Sequence, residues 1–139
     1  MAKRGNRRRA ADDREPTCPC GSGGSYARCC GPLHRGEAEA PTAEALMRSR
    51  FSAFAVGDAG YLLRSWDERT RPARLDLDPG QRWLRLEIVD TERGGLLDST
   101  GAVEFRAYHR TGGQTGVLVE RSRFVRAGGR WVYLDAERE

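Results

Sequence analysis

Residues 100–135, TGAVEFRAYHRTGGQTGVLVERSRFVRAGGRWVYLD, carry the pattern that decides the fold. Successive side chains point to opposite faces of a strand, so Val103, Phe105 and Ala107 fall on one side while Glu104, Arg106 and Tyr108 fall on the other. The run spans 100–111 and stops at Gly112-Gly113, a pair suited to a tight hairpin turn. A third strand over 116–126 and a fourth over 130–135 follow, joined across Ala127-Gly128-Gly129. Arg121 and Arg123 share a face with Val119 and Val125, which puts at least one of them at the interior or its mouth. Upstream, residues 82–91 alternate Leu84, Leu86 and Ile88 against Trp83, Arg85 and Glu87, giving a first strand.

Before the strands the period changes. From 42 to 56, Ala43, Leu46, Met47, Phe51, Phe54 and Ala55 recur at helical spacing, with Thr42 as N-cap and Gly57 as stop. Arg48 and Arg50 are read as lying off that stripe. Asp58 caps a shorter second helix through Tyr61, Leu62, Leu63 and Trp66. Residues 67–81, broken by Pro72, Pro79 and Gly80, connect helices to sheet. Two helices followed by an antiparallel meander predict an α+β domain over 42–139, large enough to hold its own core.

Outside that domain, all four cysteines fall in one segment, CPCGSGGSYARCC, as Cys18, Cys20, Cys29 and Cys30. Two close pairs separated by a flexible turn can converge on one tetrahedral zinc. Neighbouring Cα atoms about 3.8 Å apart cannot carry an unstrained Cys29–Cys30 bridge. Cross-bridges Cys18–Cys29 and Cys20–Cys30 would need an oxidising compartment, and residues 1–16 contain no apolar run that reads as a secretory signal, so a cytoplasmic protein is expected. Gly21, Gly23 and Gly24 permit the turns of a knuckle. Backbone N–H groups and Arg28 or Arg35 could offset the double negative charge of a zinc with four thiolates. His34 is an alternative fourth ligand. The organisation expected is a basic tail over 1–16, a knuckle over 17–35, a linker over 36–41 and the α+β domain.

The cysteine segment resembles the SEC-C motif, known from the C-terminal end of the SecA preprotein translocase ATPase. Cys18, Cys20, Gly21, Ser22, Gly23, Tyr26, Cys29 and Cys30 match its pattern, whereas Gly24 and Ser25 stand where lysines are common. The blocks LMRSRFSAF (46–54), YLLRSW (61–66), WLRLEI (83–88), GAVEFRAY (101–108), ERSRFVR (120–126) and GRWVYLD (129–135) resemble the YchJ family, bacterial proteins that join a SEC-C motif to a nuclear transport factor 2-like cone. The resemblance implies one structural zinc and a cone of helices against a curved sheet. Such cones often dimerise through the open sheet face, so a homodimer is an expectation. The family has no established reaction.

A cone of this kind encloses a pocket, and the candidates to line it are Tyr61, Trp66, Trp83, Glu104, Tyr108, His109, Glu120 and Arg121. Fold does not by itself make them catalytic, and His109 beside a turn reads as an ordinary exposed histidine. Arg48, Arg50, Glu120, Arg121 and Arg123 place charge on packing segments, and a Glu–Arg network tying helix to sheet is the reading preferred over an anion pocket.

The formal charge is +4, but residues 1–9 contribute five positive charges, which leaves minus one for 10–139. A nucleic-acid or ribosome surface is therefore confined to the tail and is not favoured. No apolar stretch approaches the ~20 residues of a membrane span. Four thiolates leave zinc no open position for water, which argues for a non-enzymatic interaction protein that docks a partner through the knuckle. The alternative is a small-molecule binder or enzyme using the cone pocket.

Overall fold

The computed structural model describes residues 15–137, so the expectation for the basic tail lies almost wholly outside them. A 3-10 turn at Tyr26–Arg28 and a short helix α1, Gly31–His34, close the cysteine segment. Helices α2, Ala43–Val56, and α3, Ala59–Arg64, follow, and then strands β1, Gln81–Arg93, β2, Thr100–Thr111, β3, Gln114–Ala127, and β4, Arg130–Glu137.

Local chemistry sets the helix ends. Thr42 lies in extended backbone, and its Oγ1 accepts the Ala45 N–H at 3.1 Å. At the other end, the Gly57 N–H returns to the Ala53 carbonyl in a left-handed cap. Asp58 Oδ1 accepts the Tyr61 N–H at 2.9 Å and starts α3. No helix of the described residues is long and apolar enough to cross a membrane.

The four strands form one antiparallel sheet in chain order, β1-β2-β3-β4. Its inner face receives α2. Leu46, Met47 and Phe51 of the helix pack on Val103, Phe105, Phe124 and Trp131 of the sheet. Phe124 is completely buried, and burying such a ring stabilises the fold by about 2–3 kcal/mol. The chain after α3 closes the cone against β4: Asp67 N–H donates to the Tyr133 carbonyl at 2.7 Å, and Tyr133 N–H to the Ser65 carbonyl at 2.9 Å. Trp131 Nε1 donates to the Pro41 carbonyl at 3.2 Å, which ties the last strand to the start of α2.

The structure corrects two sequence expectations about strand faces. In β1 the register shifts between Trp83 and Arg85, so Leu84 is an inserted, bulged residue. Leu84 is 48% exposed, while Trp83 turns inward against Phe51 and Phe54, with ring centroids 5.9 and 5.8 Å away. In β3 the buried residues are Ser122 and Phe124, so Arg121 and Arg123 face outward with Val119. A strand carries its side chains alternately, and the full burial of Phe124 decides the parity.

Candidate metal centre and cone cavity

The knuckle is built by short-range backbone bonds. Cys18 N–H donates to the Gly24 carbonyl at 2.9 Å, and Tyr26 N–H to the Pro16 carbonyl at 2.9 Å, beside an antiparallel bridge between Thr17 and Ser25. Gly21 and Gly23 take φ values of 84° and 91°, a left-handed backbone that a side chain would strain. The loop thereby folds Cys18 and Cys20 over Cys29 and Cys30. All four are free thiols in this conformation.

Thiolates in a tetrahedron around zinc, at roughly 2.3 Å from it, would have sulfur–sulfur edges of about 3.8 Å. Here Cys20 and Cys29 Sγ lie 3.6 Å apart, Cys29 and Cys30 Sγ 4.0 Å, and all four within 4.8 Å of one another. The cluster therefore fits one tetrahedral metal with every position filled by sulfur. A hydrogen bond from Cys30, opposed by burial and helped by the Ser22 hydroxyl and N–H, pulls the Cys20 thiol down to about 4. The Cys30 thiol is pushed up by the same hydrogen bond and by burial.

His34 is not part of this set. Its Nε2 donates to the Ser49 carbonyl at 2.8 Å, so Nδ1 is the acceptor for the Tyr26 hydroxyl at 2.6 Å. Nδ1 is thus spent inside the knuckle and Nε2 on joining the knuckle to the helix. Arg35 does not serve the sulfurs either, since it pairs with Glu37 at 2.8 Å. Arg48 approaches instead, donating to the Cys20 carbonyl at 2.7 Å and to Glu44 at 3.0 Å. Cys18 Sγ sits 3.4 Å from the buried Ser52 hydroxyl, and Arg64 donates to the His34 carbonyl. The knuckle thus rests on one face of α2, where Ser49 and Ser52 are wholly buried.

On the other side of α2, between helix and sheet, lies a cavity of about 250 Å³. Of the eight expected lining residues, Trp66, Trp83 and Glu120 line it. Tyr61 lies on the knuckle side, with its hydroxyl 2.7 Å from Ser49 Oγ and its ring 4.6 Å from that of His34. His109 stands behind Trp83, centroids 5.3 Å apart, over Gly116, where an added Cβ would come within 2.8 Å of the imidazole. Glu104, Tyr108 and Arg121 are on the outer face of the sheet. Arg121 gathers Asp90, Glu92, Glu104 and Glu137 within 2.6 to 3.5 Å, and Tyr108 donates to Glu87 beneath Arg85. Arg123 pairs with Asp135 at 2.6 Å. The expected Glu–Arg network from helix to sheet is replaced by an Arg121 cluster and an Arg123–Asp135 pair within the sheet, because Arg121 and Arg123 lie on the wrong face to reach α2.

Sequence reasoning named Arg50 in a charge network but placed it off the helix stripe and outside the cavity lining. It is 4% exposed and lines the cavity with Met47, Phe51 and Phe54. Those four positions are spaced i, i+3, i+4, i+7, so Arg50 lies on the apolar stripe and that spacing was the available signal. Its Nη1 donates to the Leu62 carbonyl at 2.8 Å and to Ser65 Oγ at 2.7 Å, and its guanidinium sits over the rings of Tyr133 and Trp66 at 4.6 and 5.1 Å. Among the described residues no carboxylate pairs with it. Desolvation lowers its pKa to about 10, which leaves it charged at neutral pH.

Fold and site together define a class: a four-cysteine knuckle, compatible with a metal site, fused to a helix-on-sheet cone. Residues 17–32 match the SEC-C motif, and residues 42–136 match the family described as YchJ, middle NTF2-like domain. The chain belongs to the YchJ family, whose curated relatives carry the name UPF0225. One of these, from Streptomyces coelicolor, is 62% identical over 122 residues, 88% of this chain and 95% of the relative. Another, from Corynebacterium efficiens, is 54% identical over 121 residues, 87% and 92% of the two chains. The solution structure of a SEC-C motif containing protein from Rhodopseudomonas palustris aligns with a TM-score of 0.77 at 37% identity, covering 88% of this chain and 98% of the other. A crystal structure of a SEC-C motif containing protein from Psychrobacter arcticus gives 0.70 at 28% identity, covering 88% and 83%.

Proposed function

We propose that this chain is a non-enzymatic binding protein in which the knuckle holds one structural zinc and the cone cavity holds a small, largely apolar molecule. The observation that carries the reading is the division of labour across α2. Cys18, Cys20, Cys29 and Cys30 would saturate a zinc and leave it no position for substrate or water, while the aromatic-walled cavity lies on the opposite side of the helix. Glu120 is the single carboxylate lining that cavity among the described residues, and His109 stays outside it. Metal-binding thiols need a reducing compartment, and the cytoplasm is the location proposed. Titration of the zinc-loaded protein with a neutral aromatic such as ethylbenzene tests the cavity: saturable calorimetric binding supports it, and its absence together with that of the polar analogues named below overturns it.

A second reading keeps the knuckle as a docking module for a protein partner. It is favoured by the exposure of Ser22, Gly23, Gly24, Ala27 and Arg28 on the rim turned away from α2. Arg28→Glu and Gly24→Asp change that rim while leaving the four ligands in place. Partners captured by the wild type and lost with these variants at full zinc content would support docking, and partners indifferent to them would refute it.

A further inference from the structure

The cavity is not a plain apolar hole. Arg50 spends only Nη1 on protein acceptors; among the described residues its Nε and Nη2 donors have none within hydrogen-bond distance. Trp66, whose ring lies beside the same guanidinium, has a buried Nε1–H without a partner among the described residues. Across the apolar walls of Phe51, Phe54 and Trp83, half-buried Glu120 also lines the cavity. The cation and the anion share one small chamber and do not pair with each other.

Buried donors in a folded protein are ordinarily satisfied, and the Trp66 Nε1–H is an exception that asks for an explanation. Guanidinium and indole donors match a carboxylate, which accepts from both. The lone carboxylate matches a hydroxyl or amine. A volume of about 250 Å³ corresponds to about eight water molecules at liquid density, the size of one ring with short substituents. Flat aromatic walls favour a ring over a branched aliphatic body.

We propose that the cavity takes a small aromatic carboxylic acid bearing a hydroxyl or amino group, with its carboxylate on Arg50 and the Trp66 indole N–H and its donor on Glu120. This rests on the reading of the cavity as the functional site. The same Glu120 disfavours dicarboxylic acids by like-charge repulsion, so the ligand carries one negative group and not two.

Calorimetric titration of the full, zinc-loaded chain separates these statements with four probes: ethylbenzene, 3-phenylpropionate, 3-(4-hydroxyphenyl)propionate and phenylalanine. The expected result is that 3-phenylpropionate binds at least tenfold tighter than ethylbenzene, and that at least one of the two donor-bearing acids binds tighter still. Glu120→Gln should shrink that last gain, most for the ammonium of phenylalanine, and spare the preference for acid over hydrocarbon. Trp66→Phe should weaken every acid several-fold more than it weakens ethylbenzene, and it retains Arg50, whose guanidinium holds the Leu62 carbonyl and Ser65 Oγ. Ethylbenzene binding as tightly as the acids would overturn the proposal while leaving the cavity reading intact. A Glu120→Gln variant that keeps the full gain of the donor-bearing acids would also overturn it. Failure of all four probes would remove both.

Discussion

Replacing His34 with leucine isolates the join between knuckle and cone. His34 is 6% exposed and lies between the Tyr26 hydroxyl at 2.6 Å and the Ser49 carbonyl at 2.8 Å. Leucine fills much of the space but donates and accepts nothing. The Ser49 carbonyl retains its place in the helix, and the Tyr26 hydroxyl loses its acceptor in a half-buried site. At about 1–1.5 kcal/mol for each net hydrogen bond lost, the variant should be destabilised by about 2–3 kcal/mol. For a domain of this size that is about 8–12 °C in Tm, at about 4 °C per kcal/mol. Urea and thermal unfolding of zinc-loaded protein read the change, with metal content measured on the same samples. Zinc should remain at one per chain, because none of the four sulfurs has been touched. Tyr26→Phe, which removes only one of the two bonds, should show about half the effect. Loss of zinc from His34→Leu to the extent seen when a cysteine ligand is replaced, or an unchanged unfolding midpoint, would refute the assignment of His34 as a tie between the two layers.

Cys20→Ser and Cys29→Ser should each sharply lower zinc content, measured by mass spectrometry of the purified protein, and normal content in both would contradict the ligand set. A fragment of residues 37–139 should fold cooperatively by circular dichroism, yet melt below the full chain, since it uncovers the buried Ser49–Ser52 face of α2; an unchanged melting temperature would mean that the knuckle contacts contribute nothing. Arg123 hydrogen-bonds the Asp135 carboxylate and holds it below its ordinary value of 3.8, against the opposing effect of burial. Because that pKa is depressed on folding, the pair stabilises above 3.8 and its contribution is lost as pH falls through the folded value. Arg123→Ala should therefore be modestly less stable than wild type near neutral pH and converge with it in acid; a gap that widens in acid would contradict the sign.

Much of the fold was legible because the signals were local. Thr42 and Asp58 announce the starts of α2 and α3 through side-chain oxygens, and the Gly112-Gly113 and Gly128-Gly129 pairs delimit β2, β3 and β4. The cysteine cluster was legible because the spacing of its four thiols already limits the chemistry. What escaped depended on tertiary context. Alternation could not reveal that Leu84 is bulged, since one inserted residue in β1 reverses the parity of Trp83 relative to Leu86. Arg50 was set aside for its charge although its spacing placed it with Met47, Phe51 and Phe54; its burial is made tolerable by carbonyls and aromatic rings supplied from α3, the following connection and β4. The linker at 36–41 suggested two separate modules, but small polar residues on α2, Ser49 and Ser52, provide the seat for the knuckle, and small polar residues on a helix are a weak signal in a single sequence.

The chain-order meander also sets a timetable for folding. Each strand pairs with its sequence neighbour across a turn, so the three hairpins can form with little loop-closure entropy, and topologies rich in local contacts fold fast. The slow closure is elsewhere: Trp131 meets Pro41 across ninety positions of sequence, and Tyr133 meets Ser65 and Asp67. Because β4 is last in the sheet and supplies both contacts, the helices gain their final partner only when that strand has been synthesised. A chain that stops short of β4 would leave the α2 residues that pack with Trp131 incompletely covered.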